Sequence, residues 1–211
     1  MASQKSIAVA SAREPKRERG MQRVAAILDA GAAVFAEKGY DAATMTEVAA
    51  RSNTAIGSLY RFFPTKEVLA DVLLTRYGER IHASLEAITA DAPTLDAARL
   101  ADRLVDLMST LRSDRAAAIA LMDARGDADG RRSRLRADMR SSLVGILALA
   151  GKVPPAQGAR VAATLLSQMR SVGPLIDEET AGLPGLLNEL RTMLQCYLAH
   201  VFSTAGAKRK P

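Results

Sequence analysis

Apolar residues recur at three- and four-residue spacing over most of this 211-residue chain. Almost no stretch alternates with the period of two that a half-buried strand needs. That periodicity confines the fold to packed helices. Composition agrees: Trp is absent, aromatics make up 4% of the chain, and alanine is the commonest residue. Alanine loses no side-chain entropy in a helix, whereas aromatic and β-branched residues suit sheets. The expected fold class is therefore all-α.

The reactive groups exclude whole classes of function. One cysteine, Cys196, forbids an internal disulfide framework and a thiolate metal cluster, and fits a reducing compartment. Two histidines, His82 and His200, leave little for a zinc site or a histidine-based triad. No convergent nucleophile, base or metal set stands out, so the expectation is a non-enzyme with no metal and no cofactor. Asp123, Asp127 and Asp129 lack the regular oxygen spacing and closing Glu of a calcium loop. No apolar run reaches the roughly 18 residues of a membrane span, and Met1 to Val9 is too short and polar for a signal core. A soluble, cytoplasmic protein without a membrane partner is expected.

Charge is distributed unevenly. The net charge is +6, with ten Lys and Arg against six Asp and Glu up to Lys66 and nineteen against seventeen beyond it. A basic N-terminal third on a nearly neutral body is the asymmetry of a nucleic-acid-binding segment. Residues 1–16 read as a flexible basic arm, 17–66 as a DNA-binding domain, 67–204 as an effector-binding and dimerisation domain, and 205–211 as a basic tail.

The first helix is predicted over 17–38, where Val24, Ile27, Leu28, Gly31, Val34 and Phe35 form one stripe. Gly39 can take the left-handed conformation that stops it. Thr44-Met45-Thr46-Glu47 reads as a capping box opening a short helix at 45–51. Asn53 is the left-handed residue of a turn, and a third helix follows over 55–62. Pro64 ends it and Thr65 caps the next. Longer helices are expected near 65–90, 94–111, 115–125, 131–150, 155–173 and 183–204, with breaks that include Gly173-Pro174.

The stretch from Met45 to Pro64 has the form of a helix-turn-helix. Val48, Ala49, Leu59 and Phe62 face inward, and Ala49 is small where the two helices would touch. Ala55, Ile56, Gly57, Ser58 and Arg61 remain on the outer surface, small enough to lie close to base edges in a major groove.

These residues resemble the TetR family of bacterial transcriptional regulators. The resemblance runs through Ile27-Leu28-Asp29-Ala30, Phe35-Ala36-Glu37-Lys38-Gly39-Tyr40, Thr44, Val48-Ala49 and Leu59 to Leu69, and covers about residues 17–70. It implies a three-helix DNA-binding domain joined to a helical ligand-binding and dimerisation domain. It further implies a homodimer through the last two helices, a pseudo-palindromic operator in double-stranded DNA, and a small-molecule effector. By carry-over, Thr44 and Thr46 contact phosphate, and Thr54, Ser58, Tyr60 and Lys66 touch backbone or base edges. Ala55, Ile56, Gly57 and Arg61 face the groove. The residue chemistry alone leaves alternatives: Tyr60 as a core ring, Lys66 as a solvated lysine, Arg61 on backbone rather than base. Arg13, Lys16, Arg17 and Arg19 form either a DNA-reaching arm or a solvated tail.

The effector pocket implied by the resemblance would draw on His82, Met108, Met122, Arg125, Met139 and Met169, although Met at helical spacing is ordinarily core filler. The functional expectation is a repressor released from its operator by a small molecule. The alternative is an effector-independent nucleoid or replication-associated DNA-binding protein of the same fold.

Overall fold

The computed structural model describes residues 18–125 and 130–207. Among them are ten α-helices and no strand: α1 (Glu18–Ala42), α2 (Met45–Arg51), α3 (Ile56–Phe62), α4 (Lys66–Asp91), α5 (Ala97–Thr110), α6 (Arg112–Arg125), α7 (Arg131–Gly151), α8 (Pro155–Met169), α9 (Val172–Thr180) and α10 (Leu186–Ala207). A 3₁₀ turn, Ala92–Thr94, separates α4 from α5. The all-α expectation holds. Among the described residues no helix is long and apolar enough to cross a membrane.

The chain forms two compact units. One comprises Met1–Tyr77 with Ser113–Ala128, the other Gly78–Arg112 with Asp129–Pro211. This differs from the sequence expectation of a boundary after Lys66. α4 contributes its first three turns to the N-terminal core, and α6 returns to that core from far along the chain. A break read from local composition cannot register that return. The predicted arm residues Arg13, Lys16 and Arg17, and the tail from Lys208 onward, lie outside the described residues.

In the first unit, Ile27, Val34 and Phe35 of α1, Val48 of α2, Leu59 of α3 and Leu69 and Leu73 of α4 are buried. Ala117, Ala118 and Leu121 of α6 join them. Each fully buried Leu, Ile or Phe contributes about 1.5–3 kcal/mol by removal from water. α1 and α4 approach closely at Gly31, where a β-carbon would sit 3.3 Å from Leu69 Cδ2. Charge reinforces the core: Arg76 donates to Asp29 at 2.9 Å and to the buried Asp114 at 2.8 Å, linking α1, α4 and α6.

In the second unit, α5 and α10 share the main seam. Leu100, Leu104 and Met108 meet Leu190, Leu194 and Leu198 in its core. Arg191 of α10 pairs with Asp102 and Asp106 of α5, and Gln195 donates to Asp102 at 3.0 Å. α7 packs on α8 through Leu143, Ile146 and Leu147.

Two helix boundaries differ from the sequence expectation. The helix expected over 155–173 is two helices, with α9 running through Gly173 and Pro174. Pro174 lies in the first turn of α9, where a missing N–H costs nothing, so the dipeptide opens a helix. Gly39 takes the positive φ expected of it, 75°, and interrupts α1 there, while a last helical segment runs on to Ala42.

Candidate nucleic-acid interface

The N-terminal unit presents α3 on a scaffold set by local chemistry. Thr44 and Glu47 form a complete capping box: the Glu47 amide donates to Thr44 Oγ1 at 3.3 Å, and the Thr44 amide to Glu47 Oε2 at 3.1 Å. The Thr44 hydroxyl itself donates to the same carboxylate at 3.0 Å. Lys38 also pairs with Glu47, and this hydrogen bond, ahead of those from Thr44, holds the carboxyl below its usual range. Arg51 reaches back to Glu37 at 2.6 Å and lowers that carboxyl in the same way.

The turn follows from residue type. Asn53 adopts φ 48°, a left-handed conformation its short polar side chain tolerates. The Thr54 amide returns to the Ala49 carbonyl at 2.9 Å, and the Thr54 hydroxyl donates to the Ser52 carbonyl at 3.2 Å. Val48, Ala49, Leu59 and Phe62 are all buried, as the sequence pattern requires of a helix-turn-helix.

The outer face of α3 is open. Ile56 is 42% exposed and Tyr60 46%, with Ala55, Gly57 and Arg61 also exposed and Ser58 half-buried. Tyr60 therefore points outward and is not a core ring. No side chain caps α3, leaving its first amides to solvent or an anion. A β-carbon at Gly57 would meet nothing within 4 Å. Packing among the described residues therefore does not require glycine at this position, the second residue of α3.

Three further residues refine the sequence expectation. Thr46 is exposed on the first turn of α2. Lys66 has a structural seat: its ammonium donates to the carbonyls of Tyr40 (2.8 Å), Asp41 (3.2 Å) and Ala43 (3.1 Å) and lies 4.5 Å from the Tyr40 ring centre. An ammonium has three donors, and all three are occupied at the end of α1. Arg23 was missed. Its guanidinium lies 3.4 Å from Ser58 Oγ, bringing a second cation to α3 beside Arg61. The available signal was the exposed Arg19–Arg23 spacing of one helical turn, which places both on a single face of α1.

The candidate effector residues are spread over α4 to α8. His82 is at the surface, 3.2 Å from Glu86 one turn away. Met108 and Met169 are core residues of the second unit, and Met139 is half-buried on α7. Met122 belongs to α6 and thus to the other unit. The Arg125 side chain lies outside the described residues. Among the described residues no cluster of His, Cys, Asp or Glu could hold a metal.

The fold and this surface define a helix-turn-helix protein whose second short helix is turned outward, joined to a separate helical body. A family model described as "Bacterial regulatory proteins, tetR family" matches residues 27–73. The repressor KstR of Mycolicibacterium smegmatis is 41% identical over 81 residues, covering 38% of this chain and 40% of that protein. The A-factor receptor protein of Streptomyces griseus is 36% identical over 59 residues, covering 28% of this chain and 21% of that protein. The crystal structure of TylP, a TetR regulator from Streptomyces fradiae, aligns with a TM-score of 0.56 at 26% identity, covering 87% of this chain and 88% of that one. Residues 27–73 are thus similar to the N-terminal segment of the tetR family of bacterial regulatory proteins. The chain spans about 40% or less of the curated relatives it matches.

Proposed function

We propose that this chain is a sequence-specific DNA-binding transcriptional regulator, a repressor released from its operator by a small molecule. The observation that carries the proposal is the outer face of α3. It is an exposed, acid-free surface with Gly57 open at its centre, and Arg61 and Arg23 supply the cations. In a major groove, Arg61 reads a base edge while Ala55, Ile56, Gly57 and Tyr60 set the approach. Thr46, Ser58 and Arg23 position the helix on phosphates. Thr44 and Thr54 act by setting the cap and the turn, because their hydroxyls and amides are both engaged there.

Repression and ligand release are supported by the relatives, one named a transcriptional repressor and another a receptor. A ligand with differential affinity for the state that does not fit DNA would shift the protein toward that state. A homodimer would hold two α3 helices about 34 Å apart on a pseudo-palindrome. The pairing faces are those of α8 and α10 turned from the core of their own unit. α8 offers the exposed small residues Ala159, Ala163 and Ser167, and α10 offers Met193, 47% exposed. Leu190 faces inward and takes no part.

The test is to incubate purified protein with fragmented genomic DNA at near-physiological salt and sequence the bound duplexes. A few sites sharing a pseudo-palindrome are expected, and Arg61→Ala should reduce the preference for them about 5- to 150-fold, equivalent to roughly 1–3 kcal/mol. Broad binding with no shared sequence, in the wild type, would overturn the reading.

A further inference from the structure

The first half of α7 is an anomaly in the second unit. From Arg131 to Ser142 no side chain is buried, and the first buried residue on the helix is Leu143. Five arginines stand on this stretch, Arg131, Arg132, Arg134, Arg136 and Arg140, all exposed, against one carboxylate, Asp138. Most of a protein helix's stability comes from tertiary packing of an apolar face.

The charge placement works against the helix. Arg132, Arg136 and Arg140 follow one another at four-residue spacing, so like charges stack along one face. The arginines also occupy the end at which the helix dipole disfavours cations, and the first turn contains no acidic residue to balance them. Arg131, Arg132 and Arg134 are engaged within the chain, but none of the twelve positions is fully buried and only Leu135, Met139 and Ser142 are half-buried. A local conflict of this kind marks a surface whose partner lies outside the chain.

The chemistry of the surface selects the partner. Leu135 and Met139 are half-buried and run on as one narrow row into the buried Leu143 of the same unit, and the other positions of the stretch carry no large apolar side chain. The stretch therefore lacks the apolar face with which a helix enters a lipid surface or fills a protein groove. It offers instead a dense array of guanidinium forks along about 18 Å of helix. Duplex DNA matches that array with one phosphate charge per roughly 1.7 Å of axis. We propose that the N-terminal half of α7 is a second DNA-contacting element, one that holds the phosphate backbone without reading sequence. The inference rests on the reading of the chain as a DNA-binding protein and adds a surface outside the helix-turn-helix.

The experiment titrates the full chain against two duplexes of about 40 base pairs, roughly four helical turns. One is random in sequence and the other is selected by the wild-type protein, and each is measured across a series of salt concentrations. The double variant Arg136→Ala/Arg140→Ala should flatten the dependence of log affinity on log salt by about 1.8, or 0.9 per lost phosphate contact. It should weaken both duplexes roughly tenfold near physiological salt while leaving their affinity ratio unchanged. Arg136→Lys/Arg140→Lys keeps the charge and should retain the wild-type slope. Circular dichroism of both variants should match wild type.

An unchanged slope in a folded, DNA-binding alanine variant overturns the proposal. So does a change in sedimentation mass with an unchanged slope, which would assign the surface to a second copy. If wild-type protein binds neither duplex, the DNA-binding reading itself fails, which is a separate outcome.

Discussion

Lys66 is where a surface reading and a structural reading of the same residue make opposite predictions. The perturbation is Lys66→Met, which keeps the apolar stem and removes the ammonium. In the folded protein that ammonium satisfies three carbonyls at the end of α1, two of them partly buried, and stacks on Tyr40. A hydrogen bond to a charged group contributes about 1.5–3 kcal/mol. The cation–π contact adds about 0.5–1 kcal/mol at a partly exposed site. Water can reach the Asp41 carbonyl and part of the others once the ammonium is gone, so the contributions do not add in full. The net loss is about 2–4 kcal/mol, the two partly buried bonds discounted for that rehydration.

Thermal unfolding without DNA is the assay. For a chain of this size each kcal/mol moves Tm by about 2–4 °C, so a fall of roughly 4–16 °C is expected. Below the new Tm, the salt slope of DNA binding should equal that of wild type, because no phosphate contact has been removed. A variant with wild-type Tm and a slope flattened by about 0.9 would refute the reasoning and assign Lys66 to phosphate.

The ion pairs around Arg76 predict a sharp asymmetry. Asp114→Ala leaves a largely buried guanidinium without its buried partner and should cost about 3–5 kcal/mol, whereas Asp29→Ala, at an exposed carboxylate, should cost under about 1. Denaturant midpoints compare the two, and equal losses would remove the distinction. Gly151→Ala places a β-carbon 2.1 Å from the Phe202 ring, so it should destabilise by about 1–3 kcal/mol. Adding Phe202→Ala should remove most of the extra cost of Gly151→Ala, and full additivity in the double-mutant cycle would show that the ring is not the obstacle. Burial pushes the Tyr77 hydroxyl above the ordinary phenol range, with Asp114 adding to the shift and Arg115 opposing it. The stabilising contribution is therefore present below about pH 10 and is lost as pH rises through the folded-state value, where the unfolded state binds fewer protons. Tyr77→Phe should flatten the alkaline decline in stability measured above about pH 10, and an unaltered decline would count against Tyr77 as its source.

The legible parts of this fold are those whose partners are close in sequence. The capping box spans three residues, the Asn53 turn is closed by bonds within five residues, and the buried stripe of α1 repeats within one helix. Each is set by residue type at a fixed short offset. The return of α6 to the N-terminal core depends instead on Arg76 meeting Asp114, 38 positions on. No local periodicity encodes that meeting, and the expected boundary after Lys66 fell short for that reason. Gly173-Pro174 misled differently: the dipeptide punctuates a chain equally well by ending a helix or by opening one, and only the position of its first turn decides which.

The same distinction separates Tyr60 from Lys66. Both occupy positions at which the resemblance placed DNA contacts, and both carry polar ends on long stems. Tyr60 is 46% exposed on α3 and points away from the core. Lys66 turns back across 26 residues of sequence to Tyr40 and caps the end of α1. Arg23 makes the opposite move, from the face of α1 to Ser58, 35 positions along. A matching residue type therefore carries over the backbone position reliably, while its role is decided by a long-range partner. Lys66 thus holds α4 to the end of α1, whereas Arg23 stands beside α3, the helix proposed to meet DNA.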